Sequence, residues 1–250
     1  MAAIEIDSSA PGRPQAVFVT THWSIVLSAQ EGDSPRRSVA MEELCRSYWY
    51  PLYAYVRRHG YSVEDAQDLT QEFFARLLAR NWVGSANPAK GRFRTFLLTA
   101  MNHFLADQWD RLKAQKRGGG QQTLSLDVAT AETRFQMEPA DPLTPEKNYE
   151  RRWAQTVLET VFEKLRRAYA AEGKAALFDE LKGSLTQARA AVPYQELATR
   201  LQVTEGALRA AVHRLRQRYR ELLRTEVAHT VAGADEVEEE LQYLFRALRG

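Results

Sequence analysis

Apolar residues in this chain recur at spacings of three and four almost throughout, and nowhere alternate long enough to make a sheet. Such a chain has to bury stripes on cylinders, so an all-α fold is expected. The clearest stripes are Ala66, Leu69, Phe73 and Leu77; Trp153, Val157, Val161 and Leu165; Leu208, Val212, Leu215, Tyr219 and Leu222; and Val237, Leu241, Leu244, Phe245 and Leu248. The 250 residues allow one or two domains. No apolar run approaches the roughly 20 residues of a membrane helix, and no secretory signal is visible, so no membrane partner is expected. The single cysteine, Cys45, excludes an internal disulfide and a cysteine-based zinc site and fits a cytoplasmic setting.

Start and stop signals divide the stripes into helices. Thr21 is placed to cap a helix from His22 to Ala29. A second helix is expected from about Arg37 to Tyr48, and Pro51 then starts another that ends near Gly60. Ser62 and Asp65 resemble a capping box for a helix reaching about Arg80. A helix follows from about Arg92 through Lys113. Residues 118–144, rich in glycine and proline and without a helical period, read as a long flexible linker. Beyond it come the Trp153 stripe, a short helix at about Lys174–Lys182, and helices from Pro193 to Leu201 and from Thr204 to about Arg224. The resulting division is an N-terminal extension (1–36), a first helical domain (37–117), an acidic linker (118–144), a second helical domain (145–226) and an acidic amphipathic C-terminal helix (227–250).

The formal net charge is only +2, but it is unevenly spread. Residues 76–117 carry nine Lys/Arg against two acids, and residues 192–224 carry seven Arg against three Glu. Residues 226–250 carry six acids against two Arg. Two basic blocks in an almost neutral chain suggest two contacts with a polyanion, although solvated helix faces would give the same pattern.

The second basic block has the layout of a helix-turn-helix. Leu197 and Leu201 face inward, Gln202-Val203 makes the turn with Val203 plugging the gap, and Thr204 caps the second helix. Its outer face holds Arg209, His213, Arg216 and Arg220, with Arg214 and Arg218 beside them. One side can pack while the other offers donors to base edges and cations to phosphates.

The stretch Tyr48-Trp49-Tyr50-Pro51-Leu52-Tyr53, followed by Glu64-Asp65-Ala66-Gln67-Asp68-Leu69-Thr70-Gln71-Glu72-Phe73-Phe74, resembles region 2 of bacterial sigma factors. The similarity is greatest to the extracytoplasmic-function group of the sigma-70 family. Tyr194-Gln195-Glu196-Leu197-Ala198 and Val203-Thr204-Glu205-Gly206-Ala207-Leu208 resemble region 4 of that group. The resemblance covers about 37–117 and 145–226. It implies a transcription initiation factor with no catalytic residues, no metal and no cofactor. Its implied partners are core RNA polymerase, through the β′ clamp and the β flap, and promoter DNA; an anti-sigma factor or a protein kinase would be candidate regulators.

By position, Asp65, Asp68, Leu69, Glu72, Phe73, Arg76 and Leu77 would dock on the β′ clamp, the acids forming a stripe beside exposed aromatics. A self-contained core helix would also explain Leu69, Phe73 and Leu77. Arg92, Arg94, Arg111, Lys113, Lys116 and Arg117 would follow the backbone of the melted −10 element, with Asn102, His103 and Trp109 capturing bases. Phe104 reads better as core. Thr204, Glu205, Arg209, His213 and Arg214 would read the −35 element, with Arg216 and Arg218 nearer phosphates. Here the sequence departs from the family: Gln202 stands where many members have glycine, and Ala210-Ala211 where a polar or basic pair is common. Alanine can touch a thymine methyl but cannot donate to guanine.

The acidic linker, with Asp127, Glu132, Glu138 and Asp141, would occupy space later taken by RNA. The C-terminal helix would pack on the last domain, as a simple cap or as a shield over its arginines. Thr70 could accept a phosphate, though a folding role is simpler. The alternative to a polymerase-bound factor is a stand-alone helix-turn-helix regulator, or an adaptor that does not open promoters. An enzyme is disfavoured: the histidines (22, 59, 103, 213 and 229) lack paired ligand spacing, and Gly118-Gly119-Gly120 lacks the ending of a phosphate loop.

Overall fold

The computed structural model describes residues 35–78, 92–114, 128–137, 143–186 and 194–249. These are helical with short turns, and no strand occurs among them. In chain order the helices are α1 (Pro35–Arg58), α2 (Val63–Leu78), α3 (Phe93–Ala114), α4 (Val128–Gln136) and α5 (Pro145–Ala171). They continue with α6 (Ala175–Leu181), α7 (Gly183–Thr186), α8 (Tyr194–Arg200) and α9 (Glu205–Ala228). A 3-10 turn (Ala234–Glu236) leads into α10 (Val237–Arg249). The expected helix at His22–Ala29 lies outside the described residues.

Several boundaries follow their sequence signals. The Ser62 hydroxyl accepts the Asp65 amide at 3.0 Å, capping α2. Thr144 and Thr204 do the same for α5 and α9, accepting the amides of Lys147 and Ala207. Pro145 occupies the first turn of α5, where its missing N–H costs nothing. Gly60 takes a left-handed φ of 88° just past α1.

Two expectations about helix boundaries are corrected. Pro51 does not start a helix but sits inside the continuous α1. Residues on both sides of it (Tyr48, Trp49, Tyr50, Leu52, Tyr53, Tyr55 and Val56) are buried, so packing outweighs the one lost backbone bond. Residues 128–136 are helical, not structureless. Val128, Ala131 and Phe135 make only a short apolar stripe among polar residues, and the order comes from contacts with α1 and α5. Arg57 pairs with Glu132 at 3.0 Å and Arg134 with Glu159 at 2.8 Å. The guanidinium of Arg134 lies 4.1 Å from the Tyr50 ring centre, and that of Arg57 lies 5.0 Å from Phe135.

The described residues form two hydrophobic cores. The first joins α1, α2, α3 and Ala131 of α4 to the first half of α5, the end of α9 and α10. The second joins the end of α5 to α6, α8 and most of α9. Trp153, Val157 and Val161 of α5 serve the first core, and Leu165 and Tyr169 serve the second. This helix of 27 residues is about 40 Å long, so it runs through both cores as a single rod. Tyr219 and Leu222 of α9 pack against both cores. The first core therefore extends well beyond residue 117.

Candidate functional site

Three helix faces carry the residues singled out by sequence. The first is on α2. Its apolar stripe turns inward: Ala66, Phe73 and Leu77 are buried, Phe74 is buried beside them, and Leu69 is partly covered. Asp65 and Asp68 are exposed, while Glu72 and Arg76 are half-buried. Glu72 pairs with Arg76 and accepts the Gln108 side-chain amide at 2.7 Å. Arg76 in turn lies 5.1 Å over the Phe104 ring. The expected surface is thus corrected. Phe73 and Leu77 are interior, and the acids have no exposed aromatic of this helix beside them. Period 3.6 identifies a stripe but not whether its cover comes from the chain itself or from a partner. Thr70 is also buried, its hydroxyl donating to the Ala66 carbonyl at 2.7 Å, which is the folding role.

The second face is on α3. Asn102 and His103 are exposed, and Trp109 is 55% exposed. Phe104 is fully buried, as its spacing suggested. Asn102 accepts the Tyr55 hydroxyl at 2.6 Å, which orients its amide and holds α3 to α1. Burial first of all, together with Glu146, pushes that hydroxyl up to about 12. Arg111 and Lys113 fall on α3, whereas Lys116 and Arg117 lie outside the described residues.

Arg92 and Arg94, expected on open surface, are engaged at the start of α3. The Arg94 side chain is 6% exposed and pairs with Glu240 of α10, which is 1% exposed. Its guanidinium stands 3.9 Å from the Tyr243 ring centre and 4.8 Å from that of Trp153. Its carbonyl accepts the Tyr149 hydroxyl at 3.1 Å. Arg92 lies 2.5 Å from Glu236, 2.8 Å from Glu239 and 3.4 Å from Glu240. Sequence reasoning missed this cluster because its partners are about 146 positions apart.

The third face is the helix-turn-helix of α8 and α9. Leu197, Ala198, Leu208, Val212 and Leu215 are buried between the helices and their neighbours. Val203 does not plug the gap: it is 45% exposed, and its amide donates to the Ala198 carbonyl at 3.0 Å. Gln202 takes the left-handed φ of 54° that the tight turn demands. Glu205, Arg209, His213 and Arg214 are exposed, and the first three recur every four residues along one face. Arg209 pairs with Glu205 at 2.5 Å and lies 5.6 Å from the Tyr194 ring centre. Arg216 and Arg218 are turned toward neighbouring elements instead. Arg216 donates to the Ser184 carbonyl at 2.8 and 3.1 Å, and Arg218 pairs with Glu172 at 2.5 Å. Hydrogen bonds from Lys174 and then Arg218 hold the Glu172 carboxyl down to about 2.

Elsewhere, burial pushes the Cys45 thiol up to about 11, which leaves it protonated and unreactive at neutral pH. No helix of the described residues is long and apolar enough to cross a membrane. Residues 44–115, spanning most of α1 and all of α2 and α3, match the family model for sigma-70 region 2. Neither the curated proteins nor the solved structures give a match to the chain.

Proposed function

We propose that this chain is a transcription initiation factor of the sigma-70 family, belonging to its extracytoplasmic-function group. It would bring core RNA polymerase to promoters through the −35 and −10 elements and promote strand opening. The observation that carries the reading is the region 2 match over α1–α3. Core polymerase and promoter DNA are the partners that such a region implies. A chain that positions polymerase and captures unpaired bases needs no covalent step of its own, so the reading is of a non-enzymatic factor.

The roles divide by accessibility. On α2, the exposed Asp65 and Asp68, with Leu69, Glu72 and Arg76 at the margin, are the groups for a basic, partly apolar partner helix on the β′ clamp. On α3, His103 and Trp109 are the accessible groups for bases leaving the stack, with Asn102 held in place by Tyr55. Arg111, Lys113, Lys116 and Arg117 supply the cations that follow the strand. Arg94 acts as a positioning residue that fixes the start of α3. On α9, Glu205, Arg209, His213 and Arg214 face the −35 duplex, with Thr204 serving as the cap. With Ala210 exposed and Ala211 half-buried, that helix favours apolar contact with thymine methyls over donation to guanine.

The test is co-elution of the purified chain with core polymerase, followed by transcription from a library of randomised promoters. The reading predicts co-elution and start sites that depend on the chain. A stand-alone regulator would bind duplex DNA without joining core polymerase. D65K/D68K, which reverses two exposed charges, is expected to weaken polymerase binding about tenfold or more while leaving duplex DNA binding unchanged.

A further inference from the structure

We infer that the acidic start of α10 is an intramolecular competitor for the DNA contact of α3: it occupies Arg92 in the free chain and must yield it to nucleic acid. The inference rests on the proposed DNA-binding role of the first helical domain.

Arg92 and Arg94 stand at the N-terminus of α3, whose first turn holds no acid. The positive end of the helix dipole lies there as well, so two cations are placed where they repel it. That end has a strong demand for anions, and the chain meets it from far away in sequence. Glu236, Glu239 and Glu240 surround Arg92 at 2.5–3.4 Å. Acids at the start of a helix are favourable on their own account, so a cap helix would explain Glu238 and Glu239. It does not explain a glutamate with 1% exposure sealed against Arg94, or three carboxylates converging on one guanidinium.

The cluster has two layers with different strengths. Arg94 and Glu240 are sequestered among Trp153, Tyr149 and Tyr243, and this pair fixes the register of α10. Arg92 is itself largely covered, its side chain 16% exposed, but its two outer partners face solvent: Glu236 is 37% exposed and Glu239 is 74% exposed. Carboxylates that exposed are screened by salt and hold a cation weakly, so a nearby phosphate chain can replace those two while Glu240 stays with Arg94. The geometry sets the target of the tail. Glu236, Glu239 and Glu240 reach the first domain's arginines, while Glu238, at 3.0 Å from Arg224, turns toward α9.

The experiment uses the full chain and a fluorescent single-stranded oligonucleotide of mixed sequence. E236Q/E239Q removes the rim carboxylates and leaves Glu240 in place. It is expected to tighten oligonucleotide binding about threefold to tenfold at low salt, and R92Q is expected to abolish that gain. A gain that survives in R92Q, or no gain at all, overturns the inference, and so does failure of every form to bind. A second measurement needs no variant. Hydrogen exchange over 234–249 in the wild-type chain should quicken when saturating oligonucleotide is added, and unchanged protection in the bound chain overturns the competition. The functional reading is judged separately by polymerase co-elution. Co-elution with no gain sinks the competitor alone, whereas a gain without co-elution sinks the polymerase role alone.

Discussion

At the residue scale, Gln202 is a side chain held where glycine is favoured, at a left-handed φ of 54°. A β-carbon in the left-handed region crowds the following carbonyl, at a cost of about 1–2 kcal/mol. Gln202→Gly should therefore stabilise the chain by about 1 kcal/mol, seen as a higher midpoint in urea or heat. Glu240 behaves differently. Burial pushes its carboxyl up, and Arg94 and Arg92 pull it back without cancelling the rise. Such a pair adds little net stability while intact, yet losing one member strands the other. Glu240→Ala should cost about 3 kcal/mol or more in thermal unfolding. The weights of these residues were hidden for different reasons. The turn at Gln202 was legible from its place between two apolar runs. Nothing local marks Glu240 off from its acidic neighbours, because only its distant partner makes it different.

At the element scale, α4 is the clearest surprise. Its nine residues carry too little apolar surface to hold a helix alone. Glu132 anchors it, accepting hydrogen bonds from Tyr53, Arg57 and Gln136. Desolvation would raise the Glu132 carboxyl, but these donors outweigh it and hold it below its ordinary 4.5. The sign follows: the stabilisation is complete above that ordinary value and is lost as pH falls through the lowered one. Exchange protection over residues 131–137, corrected for intrinsic rates, should fall in that acid window, and E132Q should show the loss already at neutral pH. This changes the part expected of Glu132. It is held by Tyr53 and Arg57 of α1 rather than left free on a linker. In contrast, α2 and α9 were legible in advance because each combines a capping hydroxyl with at least three turns of apolar period, and α5 was legible from its Trp153 stripe alone.

For the whole molecule, the decisive fact is that α10 packs on α5 and α9 and, through them, is built into the first core. Val237, Leu241 and Leu244 are buried there, although Phe245, expected on the same face, is 47% exposed. Deleting residues 234–250 would open that core and orphan Arg94, and about 3–5 kcal/mol should be lost from the stranded charge alone. A truncated chain should melt earlier and expose apolar surface to a hydrophobic dye, so point substitutions at Glu236 and Glu239 are the cleaner probe of the tail. The rod-like α5 has a related consequence. Val161→Ala should weaken the first core and Leu165→Ala the second, each by about 2–4 kcal/mol, and loss of cooperativity between the two melts would show how far α5 couples them.

Sequence by itself determined the all-helical class, the caps of α2 and α9, the apolar stripes of α2, α5 and α9, and the likeness over α1–α3 that the family model also finds. All of these depend on residues within a turn or two of one another, where spacing and capping act directly. Only the tertiary structure decided that Pro51 is spanned by one helix, that residues 128–136 fold onto α1, and that the tail's acids meet Arg92 and Arg94. These outcomes rest on burial and charge pairing between segments far apart in the chain, and no local period records which distant surface will come to cover a given face.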